Sequence, residues 1–398
     1  MTTTSIAAGL VARTREINSP AELLDSLSRD GFAWLTDGVG FVTSGVAARV
    51  RTGDVERVLA GIEDDDPVSR AGTGAIAVSS LPFNGTAQGE LVIPASVTGL
   101  DTDGRAWRTE IGSTESFAAS AVPAPTRFRV EGRVSRTEWA SQVHTILAAI
   151  AAGELAKAVL AREVVVHADA PFDPPAMVDR LRATQGGCVV FAAGGNVGAT
   201  PELLVRRRGA AVVSRPMAGT IPRGATAAGD SAAEAALAAS VKDGLEHRLV
   251  VDAVVDGLRA SGVDVTSVRG PDVARLATVS HLATTIAGNV EPRSASSALE
   301  LALRLHPTPA VAGAPRDSAL AMLEDLETFD RGRYAGPVGW VDAHGDGEWA
   351  VALRCAELEG TTARLVAGAG IVAGSDPDAE WAETQAKLEP MLRVLVQP

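Results

Sequence analysis

Cysteine is almost missing from this chain of 398 residues: Cys188 and Cys355 stand far apart and form no CxxC pair. That excludes a disulfide framework and a cysteine-based zinc site, and two lone thiols fit a reducing compartment. The six histidines show no HExxH or HxH spacing, which also disfavours zinc. Aromatic residues are scarce: eight phenylalanines, six tryptophans and one tyrosine, Tyr334. So few rings argue against a stacking surface for bases. No apolar run approaches the roughly 18 residues of a membrane-spanning helix. The stretch from Met1 to Arg13 has no basic start before its apolar residues, so no secretory signal is expected. A soluble, cytoplasmic protein is the expectation. Bases are the minority charge, 36 against 49 acids, for a net charge of −13. A polyanion such as nucleic acid is repelled by that average field. A small anionic substrate remains compatible if a local positive patch or a bound cation overrides it.

What the chain does have is apolar mass, with 46% hydrophobic residues, enough for a large core. Short runs at Phe32–Leu35, Ala75–Val78 and Glu90–Ile93 read as strands separated by Gly, Asp and Pro. A weak compositional seam at Ala118–Arg127 follows. Ser135-Arg-Thr-Glu138 is a capping box that opens a helix closed by Gly153. Lys157–Val166 and Cys188–Ala193 read as strands. Ser231-Ala-Ala-Glu234 begins a helical region with a break at Gly244; Thr278–Ile286 and Trp349–Leu358 read as strands, and Asp376-Pro377 starts a C-terminal helix. Strands and helices alternate throughout, which predicts an α/β or α+β fold around one large core.

Several side chains sit oddly in these elements. Asp243 and Glu246 share a helix face with Val250 and Ala253, and Glu380 and Glu383 share one with Lys387. Carboxylates on an apolar stripe must be paired or metal-bound, and Mg²⁺ takes one or two of them, completing its octahedron with water and substrate oxygens. Glu383 and Lys387 also read as an ordinary i,i+4 pair. Lys157 opens a valine-rich strand, either as a solvated strand end or as a buried general base. Glu202 follows Thr200 and Pro201, which read as N-cap and first residue of a helix, so that it is either a capping acid or a desolvated general acid. His281 stands in an apolar strand, as a core histidine or a site residue. Gly368-Ala-Gly370 with Gly374 departs from the dinucleotide fingerprint and instead lets backbone N–H groups approach an anion.

The order of segments is more specific than any of them alone. Lys157-Ala-Val-Leu-Ala-Arg162, Gly198-Ala-Thr-Pro-Glu-Leu-Leu204, Pro216-Met-Ala-Gly-Thr220, Lys242-Asp-Gly-Leu-Glu-His247, His281-Leu-Ala-Thr284, His306-Pro-Thr-Pro-Ala310, Gly368-Ala-Gly-Ile371 and Glu380-Trp-Ala-Glu-Thr384 follow one another. Together they resemble the chorismate-utilising enzymes, and among these most closely the isochorismate synthases. The resemblance covers about Ser135 to Leu395; before it, only the strand-rich character is similar. It implies a single large α/β (α+β) domain, two β-sheets packed as a sandwich with helices outside. Residues 1–130 are then the strand-rich N-terminal part of that fold and 131–398 its chorismate-binding catalytic region.

The resemblance also implies roles. Lys157 matches the lysine that activates water for attack at C2, and Glu202 the acid that protonates the C4 hydroxyl as it leaves, with His281 near that hydroxyl. Asp243, Glu246, Glu380 and Glu383 match the acidic cluster around Mg²⁺, with Glu246 and Glu383 in closest contact and Asp243, shorter than the usual glutamate, reaching through water. Tyr334 and Arg354 match positions facing the enolpyruvyl carboxylate, with backbone N–H groups around Gly368 and Gly370; Gly219, Thr220 and Lys387 complete the pocket. Met217-Ala218 lacks the nucleophilic lysine of aminodeoxychorismate synthases, and Lys157 replaces the glutamine of anthranilate synthases. Ala310 ends its motif as in isochorismate synthases, where salicylate and anthranilate enzymes tend to carry threonine. The implied product is isochorismate, for menaquinone or a siderophore, with salicylate synthase or a non-catalytic chorismate-binding protein as alternatives. A glutaminase subunit is not implied, and a monomer is the expectation.

Overall fold

The computed structural model describes residues 9–18, 23–112, 123–291 and 296–396. Two sheets dominate. The larger runs, in spatial order, Phe128–Gly132, Lys157–Ala168, Thr362–Ile371, Cys355–Glu359, Asn196–Thr200, Val189–Ala193, Phe32–Thr36, Val39–Ser44, Ser96–Leu100, Ala106–Ile111, Val11–Ile17 and Glu63–Asp65. The second runs Met217–Pro222, Val279–Val290, Ala211–Arg215, Leu203–Arg208, Gly347–Val351, Pro337–Asp342, Ile76–Ser80, Glu90–Ile93 and Ala48–Arg51, with Val263–Arg275 on the other edge of Val279–Val290. N-terminal strands thus complete both sheets, and among the described residues no separate domain forms. The fold is the mixed α/β sandwich that the resemblance implies.

The inner faces meet through large apolar side chains. Trp34, Phe41 and Phe191 from one sheet pack against Trp340, Trp349 and Val205 from the other, with Phe41 and Trp340 edge to face at 5.6 Å. Alternation along each strand sends the opposite residues outward. There, Val164, Val166 and Leu365 are covered by Met177, Val178 and Leu181 of the helix Pro174–Thr184 and by Leu388, Met391 and Val394 of Pro377–Val396. Ala158, Leu160 and Ala369 are covered by Trp139, Val143 and Ile146 of Arg136–Ala151. The capping box at Ser135 and Glu138 is present, and Gly153 follows the helix end at φ +78°.

The seam falls partly on residues 113–122, which lie outside the described residues; Pro123–Arg127 is irregular. Other expectations are corrected. The helix expected from Ser231 starts at Ala227, capped by Thr226, and the break falls at Ser240, whose side chain caps Val241–Ala260. Gly244 lies inside that second helix, where one glycine costs only about 1 kcal/mol, and Ala253 is exposed, the buried stripe being His247, Val250, Val254, Val255 and Leu258. Trp349–Leu358 is two strands of different sheets, parted at Ala352–Arg354 where Arg354 takes φ +47°. Finally, no helix begins at Thr200: Pro201 and Glu202 join a strand of the larger sheet to one of the second. The residues after Glu202 instead pair on both sides, with Ala211–Arg215 and with Gly347–Val351.

Candidate active site

Two neighbouring crossovers between the sheets build the site. At one, Pro201–Glu202 leaves the larger sheet; at the other, Ala352–Arg354 returns to it. They are bonded together: Val351 N–H donates to the Glu202 carbonyl at 3.1 Å, Thr200 Oγ1 donates to the Val351 carbonyl at 2.6 Å, and Ala199 N–H donates to the Arg354 carbonyl at 3.2 Å. Where the sheets part, a cavity of about 660 Å³ opens, its mouth included. Glu202, Gly219, Thr220, Glu246, His281, Ala310, Tyr334, Arg354, Gly368, Gly370 and Lys387 all line it. All eight residues expected to bind substrate are therefore gathered in one place. Val159, Met217 and Val311 line it as well; the sequence reading did not place them there because apolar side chains in strands and turns carry no signal apart from core.

Lys157 lies just behind this lining. It is fully buried, and its Nζ sits 2.9 Å from Glu246 Oε1 without making an aligned hydrogen bond. Val159 and Ala161, on the same strand face, pair with Gly370 and Gly368 of the neighbouring strand. A side chain at Gly370 would collide with Glu246 Oε1 and Lys157 Cε, so glycine is what lets this pair lie over the sheet. Lys157 is thus a buried residue facing a carboxylate and not a solvated strand end.

Glu202 is 4% exposed, and burial raises its pKa to about 7 against the lowering influence of Lys157. With no helix N-terminus at Glu202, desolvation prevails, which suits a proton donor near neutral pH. Across the pocket, His281 is held below its ordinary pKa by burial and by Arg354. Its Nε2 faces Arg354 Nη2 at 2.6 Å, while Nδ1 faces the Gly219 carbonyl at 3.2 Å and Thr220 Oγ1 at 3.1 Å.

Cations converge on the interior of this acidic chain. Arg354 Nη1 is shielded from solvent and has no partner among the described residues. A buried guanidinium donor without an acceptor is costly, and a carboxylate is the ligand that satisfies it. Lys387 Nζ donates to the Gly368 carbonyl at 2.9 Å and to Glu383 Oε1 at 2.7 Å. Burial opposes its charge, but Glu383 holds its pKa above the usual value. The Tyr334 hydroxyl lies beside Gly368, and burial raises its pKa, so it remains a neutral phenol.

The four acids are distributed unevenly. Glu246 borders the cavity next to Lys157, Glu383 stands beside Lys387, and Glu380 is bound by Lys242 Nζ at 2.8 Å. Burial, with Glu380 and Glu246 nearby, raises the pKa of Glu383 despite Lys387. Asp243 packs behind Gly219 and does not line the cavity. Among the described residues no three His, Cys, Asp or Glu side chains are close enough to hold a metal by themselves. That donor set does not fit a protein-enclosed zinc or calcium ion. It does fit Mg²⁺, which needs one or two carboxylates and draws its remaining oxygens from water and substrate.

A neutral-range carboxylic acid, a buried lysine and an unsatisfied guanidinium around one cavity define an enzyme site for a small anion. The family described as chorismate binding enzyme matches residues 100–396, and the chain belongs to it. It is 37% identical over 334 residues to isochorismate synthase DhbC of Bacillus subtilis, covering 80% of each chain. To isochorismate synthase EntC of Escherichia coli K12 it is 34% identical over 394 residues, covering 94% of this chain and 96% of that one. The structure of MenF, the menaquinone-specific isochorismate synthase from Escherichia coli, matches with a TM-score of 0.82 at 28% identity, over 98% of this chain and 95% of that one. The likeness therefore extends into the N-terminal third, beyond the motifs that first carried it. No helix among the described residues is long and apolar enough to cross a membrane.

Proposed function

We propose that this chain is a Mg²⁺-dependent isochorismate synthase, an isomerase that adds water at C2 of chorismate and expels the C4 hydroxyl, reversibly. The observation that carries the reading is Glu202, a carboxylic acid with a pKa near 7 electrostatically coupled to the fully buried Lys157. Lys157 takes a proton from the attacking water, and the ring double bonds shift. Glu202 gives a proton to the departing hydroxyl, so that water is taken up and water released. Acid and base act at opposite ends of one allylic system, which is why their pKa environments must differ.

Arg354, with its free Nη1, holds the enolpyruvyl carboxylate together with the Tyr334 hydroxyl. Glu246 and Glu383 are the residues that would hold Mg²⁺, with Glu380 and Asp243 farther out. When bound, the ion would neutralise the ring carboxylate and offset charge that builds on it. Gly219, Thr220 and Ala310 shape the wall, and Lys387 keeps Glu383 in place.

The test is incubation of purified protein with chorismate, with and without Mg²⁺, and separation of products by chromatography. A chorismate–isochorismate mixture that reaches the same ratio from either side supports the reading. Salicylate with pyruvate moves the chain to the salicylate synthases, and chorismate binding without turnover leaves a binding protein.

A further inference from the structure

Outside the residues that face the cavity, one buried ion pair touches three of its walls. Arg331 is 3% exposed, and its Nε and Nη2 bind the two oxygens of Glu327 at 2.8 and 2.6 Å. The same guanidinium donates from Nη2 to the Val159 carbonyl and from Nη1 to the Val311 carbonyl, both at 2.6 Å. Glu327 Oε1 in turn accepts from Ala161 N–H at 2.9 Å. The Arg331 carbonyl accepts from Tyr334 N–H at 3.0 Å, in the turn that presents Tyr334 to the cavity.

Each of these contacts lands on a pocket element. Val159 lies two residues beyond Lys157 on the same strand face, Val311 follows Ala310, and Tyr334 lines the cavity. Val159 N–H also donates to the Ala312 carbonyl at 2.8 Å, so the Ala310–Ala312 segment and the Lys157 strand meet at this point. An apolar pair would fill the same space as well or better for stability, because burying two charges is costly. A guanidinium with donors in a rigid fork does what an apolar side chain cannot, which is to fix two carbonyls and a carboxylate at set spacings.

We propose that Arg331, clamped by Glu327, is a positioning residue that sets the distance between the Ala310 wall and the Lys157 strand, and so determines how tightly the ring is held and keeps it out of the pose from which pyruvate is eliminated. This rests on the isochorismate synthase reading. The wall it positions is the one on which isochorismate synthases and lyase-active relatives are expected to differ. A displacement of about 1 Å in such a wall is enough to cost on the order of 100-fold in rate.

The experiment compares wild type with Arg331→Lys and Glu327→Gln, both of which keep a polar partner in place. Folded fraction is followed by thermal unfolding, and steady-state kinetics on chorismate with Mg²⁺ are normalised to it, with isochorismate and pyruvate both quantified. The expected result is a KM for chorismate raised about tenfold or more in Arg331→Lys, with a smaller change in the same direction in Glu327→Gln, and a higher pyruvate-to-isochorismate ratio in both. A purely structural role would lower the folded fraction while leaving the normalised KM and the product ratio at wild-type values, and that result overturns the proposal. Wild type that fails to turn over chorismate overturns the functional reading and this inference with it; wild type that turns over beside variants with unchanged KM and ratio overturns the inference alone.

Discussion

Arg354 donates from Nη2 to Nε2 of His281 across 2.6 Å, and this bond fixes which nitrogen of the imidazole carries the proton. A guanidinium has no acceptor, so Nε2 must be the bare nitrogen and Nδ1 the N–H, assigned from its partners. Nδ1 then donates to the Gly219 carbonyl, tying the two strands Met217–Pro222 and Val279–Val290 at the cavity edge. Burial and the charge of Arg354 keep the ring neutral. His281 therefore orients Arg354 and the pocket edge, which leaves Glu202 as the proton donor in the proposed mechanism.

His281→Asn is expected to lower kcat/KM by up to about 100-fold through lost positioning, while the fall of activity at high pH persists. The pH profile of kcat/KM for this variant is the measurement. Loss of that alkaline limb would identify His281 itself as the acid.

Glu202 governs the same profile in wild type. Its pKa of about 7 predicts that kcat/KM falls as pH rises through neutrality. The sign for stability follows from the same shift: the folded value lies above the ordinary 4.5, so the stability gained from the neutral carboxyl is complete below about 4.5 and is lost as pH rises through about 7. Glu202→Gln removes the proton donor and should lose about 10²- to 10⁴-fold in rate. It should also melt higher than wild type at pH 8, with the gap closing toward pH 5. Thermal unfolding across that range checks it.

The proposed base role of Lys157 and its pairing with Glu246 separate by substitution. Lys157→Gln removes the base and should cut kcat by about 10²- to 10⁴-fold, with the fold retained because an amide can still meet Glu246. Lys157→Ala leaves the Glu246 carboxylate, 12% exposed, without its partner and should cost on the order of 3–5 kcal/mol of stability. Denaturant unfolding beside activity distinguishes the two effects.

Mg²⁺ binding measured by calorimetry with a chorismate-site carboxylate ligand present should weaken tenfold or more in Glu383→Gln and Glu246→Gln. Glu380→Gln should weaken it less, since Lys242 already binds that carboxylate. Equal losses at Glu380 and Glu383 would move Glu380 into direct contact with the ion.

Much of the site could be read from single residues, but not its construction. The strand at Lys157 is legible in its valine run; the burial of Lys157 is not, because it depends on Glu246 from a helix far along the chain. Thr200-Pro201-Glu202 carries a helix-start signal, and the Thr200 hydroxyl does accept the Glu202 N–H at 3.3 Å. The tertiary pairing of Leu203–Arg208 on both edges overrides that local preference. Arg354 at φ +47° could not be anticipated, since arginine gives no sign of a left-handed backbone; the second sheet crossover at Ala352–Arg354 imposes it. The capping box at Ser135 and the Asp376 cap, which accepts from Ala379 N–H, were legible because they are local.

The central claim is that this site adds water to the ring at C2, and the most direct measurement is turnover of chorismate with Mg²⁺ in ¹⁸O-labelled water, followed by mass spectrometry of isochorismate sampled early. The account predicts one heavy oxygen in each molecule of isochorismate, at the C2 hydroxyl, and the same label in the isochorismate that Lys157→Gln forms about 10²- to 10⁴-fold more slowly. Isochorismate without label would mean that the C4 hydroxyl itself migrates, and no isochorismate at all would mean that the site does not perform this reaction; either result contradicts the account.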